Sequence, residues 1–384
     1  MSPRGGLSVE VVEREEQLAP LANRWRGFAV ERSSAFASPD WYLAAMRRLH
    51  ADAVPAVAVA TSGDGIVKGL IPLLATPEGS RPRYAFAPAR RLADVFQPVA
   101  EPGWAEDVAA ACAPALASHL GGRCRVDLGR VAAGAMWWRT LASSWPGRMT
   151  AVATGPETLP HINLAGQSWD EFLQTRSRQF RSEVGRKMRS LQRDHRVELR
   201  RSATVEDAHS DIDTLFRLHE ARWSTQEGRS ALADPAVREF HRDFAIAAQR
   251  QGWLRLYLLE VDGAPVAAWY GWRIGDHFAY YQAGFDPQWS SHSVGFLLMA
   301  ETVREATSEG VADFELLRGQ EPFKARIATG EWHACSVLIL PSLSGARVAA
   351  STGTMIRSLF QRLPAPVQRG LQGIRARWRA HGKA

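Results

Sequence analysis

Cysteine is scarce in this chain: three in 384 residues, Cys112, Cys124 and Cys335. An odd number at unrelated spacings makes no disulfide framework and lacks the paired spacing of a zinc site, so a reducing compartment is expected. Long apolar runs are missing as well. No stretch approaches the ~18 apolar residues of a membrane span, and MSPRGGLSVEVVEREEQ has no apolar leader core, so a cytoplasmic protein is expected. The sequence holds no G-x-S-x-G elbow, no Walker A sequence, no G-x-G-x-x-G and no H-E-x-x-H, which argues against the hydrolase, P-loop, dinucleotide and zincin chemistries those motifs carry. Its eleven histidines show no ligand spacing, so no metal is expected. Acidic residues are missing beyond Glu331, where seven arginines and one lysine lie. That tail alone accounts for more than the formal net charge of +7 and leaves the preceding residues close to neutral. A protein that coats DNA is therefore not expected, and the high isoelectric point belongs to an appendage.

What remains has the composition of a folded soluble protein, with 46% hydrophobic and 23% charged residues. The length suits two domains, each able to bury a core. A strand over 7–12 is followed by helices over 15–30 and 39–50, the second with Ser38 as cap and Pro39 in its first turn. Val54–Ala60 and Ile66–Leu74 flank Gly63-Asp64-Gly65 and read as a hairpin. A Pro/Arg-rich loop over 77–91 has the length of a lid. Strand 94–100, helix 104–120, strand 123–128, helix 131–143 and strand 149–153 complete the first half. The second half repeats the order: a helix over 169–194, helices over 211–223 and 235–251, then a three-strand meander over 253–285 and a last strand over 332–340. A polar loop over 224–234 can fold over a substrate. The expected fold is α/β (α+β) in two related domains, 1–165 and 166–344. A basic amphipathic tail over 345–384 follows, with Val367, Leu371, Ile374 and Trp378 on one helical face.

The most informative stretch is 277–326. An aromatic strand ends in the turn Gly284-Phe285-Asp286-Pro287, and Ser290, Ser291 and Ser293 precede a helix with Phe296, Met299, Val303 and Ala306 on one face. A helix N-terminus wrapped in small residues offers free N–H groups and the positive dipole end to a phosphate. After Gly310, a strand over 311–317 runs into Arg318-Gly319 and then Glu321, Lys324 and Arg326, a polar crowd that an ordinary βαβ unit does not need.

The segments GFDPQW, SVGFLLM and FELLRGQEPFKAR, with Trp41 in FASPDWYLAAMRRL and the Arg-rich helix near 172–194, resemble the CelD-type branch of the GNAT acyltransferases, associated with cellulose and exopolysaccharide loci. The order of elements resembles the double-GNAT arrangement of FemABX-like proteins. The resemblance implies acetyl-CoA or another acyl-CoA as co-substrate, its pyrophosphate held at Ser293, Val294, Gly295, Phe296 and Leu297. It also implies an amine-bearing small molecule or glycan precursor as acceptor. Acyl transfer needs a base for the amine and a stabilised thioester oxygen. Glu315 is the first candidate base, followed by Asp286 and Glu321. Tyr281, Gln282, Arg318 and Lys324 are candidates for substrate contact, unless Glu315, Arg318 and Lys324 form a salt-bridge network among themselves. Arg186 and Arg189 lie in a helical stripe with Arg193 that suits either an anion or solvent. Two other functions compete: FemABX-like aminoacyl transfer from charged tRNA, and a non-catalytic scaffold docking a synthase at the inner membrane surface through the tail.

Overall fold

In a computed structural model, residues 6–77, 83–121, 124–147, 149–224, 230, 232–319 and 321–342 are described. The expected tail and parts of both expected lids, 78–82 and most of 225–231, lie outside them. The strands are β1 (Ser8–Val12), β2 (Val54–Thr61), β3 (Val67–Ala75), β4 (Tyr84–Phe86), β5 (Val99–Ala100), β6 (Arg125–Ala132), β7 (Met149–Ala153), β8 (Glu157–Asn163), β9 (Val197–Arg201), β10 (Leu254–Val261), β11 (Ala264–Ile274), β12 (His277–Phe285), β13 (Asp313–Glu315) and β14 (Gly330–Pro341). The helices are α1 (Ala22–Glu31), α2 (Pro39–Leu49), α3 (Ala105–Leu120), α4 (Trp137–Ser143), α5 (Trp169–Gln174), α6 (Arg178–Asp194), α7 (Val205–Ser224), α8 (Pro235–Arg250), α9 (Val294–Ser308) and α10 (Pro322–Ile327). The architecture is mixed α/β, a large mixed sheet flanked by helices. Twelve strands run in the order β1-β2-β3-β4-β6-β14-β8-β13-β12-β11-β10-β9, with β5 beside β3 and β7 beside β14.

Two joints tie the halves together. The last strand returns to the first half: β14 pairs antiparallel with β6, β7 and β8, so Cys335, Val337 and Ile339 complete the core under α3 and α4. The second joint is aromatic. Trp41, on the helix that Ser38 caps at 3.1 Å, is fully buried and meets Phe240, Phe244, Trp272 and Tyr281 at ring distances of 4.7, 5.0, 6.0 and 6.0 Å. One apolar cluster thus spans α1, α2, α7, α8 and the meander, while a separate cluster lies under α6 and α9.

The departures from the sequence reading have local causes. The helix over 169–194 is two helices, because Ser177 accepts from the Phe180 amide and starts α6 afresh. Arg176, in the break, turns its guanidinium to the carbonyls of Ile327 and Ala328. β6 runs on through Ala132, which pairs with Ala334, so the helix expected from 131 starts at Trp137. The strand expected over 94–100 shrinks to Val99–Ala100, since Asp94 turns to Arg318 and the Phe96 amide bonds Arg130. β8, β9 and α10 have no counterpart in the reading.

Gly284 holds the site's frame together. A Cβ there would lie 2.2 Å from the His219 amide nitrogen and 2.5 Å from the Leu218 carbonyl carbon, so α7 rests directly on the β12 backbone. Backbone cannot turn aside as a side chain can. Gly284→Ala should cost ~3 kcal/mol or more through overpacking, read as a lowered urea midpoint.

Candidate functional site

The site begins where two strands part. β13 pairs with β12 only over His277–Ala279 against Asp313–Glu315. Beyond Ala279 the strands diverge, and a bulge at Tyr281 leaves that residue without a partner on β11. A bulge re-aims side chains and frees a backbone group from the ladder.

On one face of this fork stands α9. Ser293 turns the chain into it with left-handed φ/ψ of 57° and 39°. Its carbonyl accepts from the amides of Phe296 and Leu297, both at 3.0 Å. Helix geometry therefore leaves Val294 and Gly295 as the amides that point past the end. Lys187 of α6 reaches across to the Ser293 hydroxyl and pairs with Glu183 at 3.3 Å, and Glu183 in turn binds Arg326. Two cations thus stand beside the positive end of the helix dipole, a setting for an anion. Next to them lies a cavity of about 260 Å³ walled by Trp269, Tyr280, Phe285, Phe296, Phe323 and Arg222. Gly295 keeps it open on one side, where a Cβ would sit 3.1 Å from the Phe285 ring. Apolar walls beside an anion seat fit a chain with a charged end.

The fork itself is lined with paired polar groups. Asp94, from the first half and almost wholly buried, binds the Arg318 guanidinium and its backbone amide, each at 2.9 Å. Burial raises the Asp94 carboxyl above the ordinary value against the pull of Arg318. Lys324 is also buried; its ammonium donates to the Arg318 carbonyl at 2.7 Å and pairs with Glu321 at 3.0 Å, 5.4 Å from the Tyr280 ring. Burial lowers its pKa despite Glu321. The Tyr281 hydroxyl donates to the Leu92 carbonyl at 3.2 Å, and Gln282 lies 3.1 Å from His219. Burial holds His219 down at about 4, so the imidazole is neutral at pH 7.

Glu315 faces the other side of the sheet. Phe314 points into the core under α9, and alternation turns Glu315 away from it. Its carboxylate bonds His277 Nδ1 at 2.8 Å, and Asp276 and Asp313 stand 3.6 and 3.9 Å from Nε2. The ring of His277 stacks near Trp332, which also stacks on His161 at 4.3 Å. Burial opposes charging of His277, but the hydrogen bond and charge of Glu315, with Asp276 and Asp313, raise its pKa above 6.5.

Set against the sequence reading, Ser293, Val294, Gly295 and Phe296 line the apolar cavity. Leu297 lies in the core with its amide engaged. Tyr281, Gln282, Arg318, Glu321 and Lys324 gather at the fork. The salt-bridge network among Glu315, Arg318 and Lys324 does not form; the three pair with His277, Asp94 and Glu321. Asp286 bonds the Gln288 amide at 2.9 Å, as the cap of the short turn Pro287–His292. Arg186 and Arg189 project outward from α6 and have no ion-pair partner among the described residues. Lys187, Arg222, Asp94 and His219 were not anticipated. Lys187 had a signal, since it falls on the stripe of Phe180, Val184 and Leu191, where a buried helix face does not ordinarily carry a charge. Among the described residues, no group of three or more His, Cys, Asp or Glu is arranged to hold a metal, and no helix is long and apolar enough to cross a membrane.

Residues 178–325 match the family described as acetyltransferase (GNAT) domain. Solved structures share the wider fold. FemX superposes with a TM-score of 0.59 at 11% identity, over 81% of this chain and 95% of its own. The L-PGS of Bacillus licheniformis gives 0.51 at 11% identity, over 87% and 96%. The C-terminal DUF2156 domain of an Agrobacterium fabrum protein gives 0.53 at 15% identity, over 88% and 96%. No curated protein matches the chain.

The His277 pair has a measurable sign. A raised histidine pKa adds stability that is fully present below the ordinary value and is lost as pH rises through the folded-state value. The stability lost in His277→Gln, from urea unfolding, should be larger at about pH 5.5 than at about pH 8.5. A gap that widens with pH would show that His277 is held neutral.

Proposed function

We propose that the chain moves an acyl group from an acyl-coenzyme A to a primary amine, with residues 166–344 as the donor-binding unit and 1–165 as its buttress. The observation that carries this reading is the seat at α9: two outward amides, Lys187 and Arg326 beside them, opening on an aromatic cavity at a strand fork. The amides of Val294 and Gly295 would take the pyrophosphate, and the acyl-bearing arm would lie between Tyr280, Phe285 and Phe323. The amine nitrogen attacks the thioester carbonyl, a C–N bond forms and the C–S bond breaks. The coenzyme leaves as a thiolate, and Glu315 takes the proton of the amine. Charge on the carbonyl oxygen would be met by the backbone freed at the Tyr281 bulge and by the Lys324 ammonium. Asp286 serves as a cap and Glu321 as the partner of Lys324, which leaves Glu315 as the base.

The resemblance to the CelD branch supports a glycan precursor as acceptor. A second reading has one observation in its favour. Arg186 and Arg189 stand exposed on the same helix as Lys187, so a donor with a longer phosphate chain, such as a charged tRNA, could follow them. Coenzyme A binding decides between the two. By calorimetry the protein should bind coenzyme A, and Gly295→Glu should abolish that binding with an unchanged melting profile, since the new carboxylate meets Phe285 and faces the anion. Absence of wild-type binding would favour the tRNA donor.

Glu315→Gln tests the chemistry. Acetyl-CoA turnover against a panel of primary amines should fall ~100-fold or more with coenzyme A affinity retained. Full turnover in this variant would exclude Glu315 as the base.

A further inference from the structure

The sheet carries a second cavity, on the face opposite α9, of about 190 Å³. Both halves of the chain build it. Arg32, Ser34 and Gln97 come from the first half, Glu315 from the second, and Trp332 and His333 from the returning strand β14. Leu317, on the branch of the fork beyond Glu315, also lines it, so it opens beside the strand parting whose other face holds the aromatic cavity.

Its walls are specific in character. Glu315 is the only acidic side chain among the described lining residues, and His277 fixes its carboxylate. Arg32 is turned away from the cavity's needs, with its Nε and Nη2 given to the carbonyls of Ala100 and Glu101 at 3.0 Å each. Gln97 and Ser34 bring uncharged hydrogen-bonding groups. Trp332 supplies a stiff apolar wall. His161 and His277 sit on strands two spacings apart, ~9.6 Å, and the indole stacks on both, at 4.3 and 5.8 Å with planes within 21°. The indole therefore stands between them, and it remains 38% exposed.

We infer that this cavity is the acceptor site and that it takes a primary amine carried on one compact, hydroxyl-bearing ring. The inference rests on the acyl-transfer reading above. A single carboxylate pairs with the ammonium; one proton leaves to solvent to give the attacking amine, and Glu315 takes the second as the C–N bond forms. The amide and hydroxyl groups suit hydroxyls, and the indole edge packs against the apolar side of the ring. The volume is that of about six waters, which admits one ring and leaves any larger substituent outside. The donor and acceptor thus approach the fork from opposite faces of one sheet, and neither half of the chain can form the acceptor site alone.

Glucosamine is the probe, and the indole N–H resonance of Trp332, assigned with Trp332→Phe, is the readout. Glucosamine should shift it saturably at millimolar concentration, and glucose, which lacks the amine, should bind about tenfold more weakly or worse. Ser34→Trp should plug the cavity and abolish the shift while leaving coenzyme A affinity by calorimetry unchanged. Gln97→Leu, which removes an amide without adding bulk, should weaken glucosamine about fivefold and serves if the plugged variant does not fold. No saturable shift up to about 100 mM, or equal binding of glucose, overturns the assignment. Coenzyme A binding is read separately. Its absence beside retained glucosamine binding would remove the acyl-transfer reading, whereas coenzyme A binding without a glucosamine shift removes the acceptor site alone.

Discussion

The early parting of β12 and β13 is the constraint on which the rest of the structure depends. A parallel pair held by three residues per strand leaves two backbones diverging inside the protein, and buried backbone groups must find partners elsewhere. The second branch finds them in the first half of the chain. Asp94 takes the Arg318 amide, and Arg91 and Leu92 offer carbonyls to Arg318 and Tyr281. The first half is thus a structural requirement of the fork, whatever ligand enters it. Two charges are buried there, Asp94 and Lys324, and each is held by a partner, Arg318 and Glu321, whose loss would strand it in low dielectric.

The two faces of the sheet divide the work. Aromatic and small residues of β12, α9 and α10 shape the cavity on one side, with cations at the helix end. On the other side a carboxylate, two imidazoles and an indole crowd the ends of four strands. The alternation along β13, Phe314 to one face and Glu315 to the other, is the simplest expression of this division. On the proposed function, donor and acceptor meet through the gap in the sheet, and no lid is needed to keep the donor's charged end and the acceptor's amine apart.

The parts of the fold that obey local rules were legible in the sequence. Ser38 caps the helix it precedes, the meander falls close to the expected 253–285, and α9 starts directly after Ser293, where a helix was expected. What was illegible depends on distant partners. β8 and β9 are short polar segments that become strands only because Glu157–Asn163 meets β13 and β14, and Val197–Arg201 meets β10. Of the candidate site, the helix end and the crowd at 318–324 could be read. Asp94 could not, because a lone aspartate in a loop announces nothing until its partner more than two hundred residues away is folded against it. The orientation of Glu315 was hidden for another reason: in so short a strand no periodicity shows which face is which.

The return of β14 has a consequence for how the protein is made. Leu340 pairs with Thr150 and Ile339 with Val126, so the first half lacks the strand between β6 and β7 until the second half has been synthesised. At ordinary elongation rates that interval lasts roughly ten to forty seconds. Throughout it, β6 presents an open edge and the apolar faces of α3 and α4 lack part of their cover, a state open to mispairing with other nascent chains. The tie that makes the finished sheet continuous thus makes the first half the latest part to become safe, and the dependence of this chain on chaperones should be concentrated there.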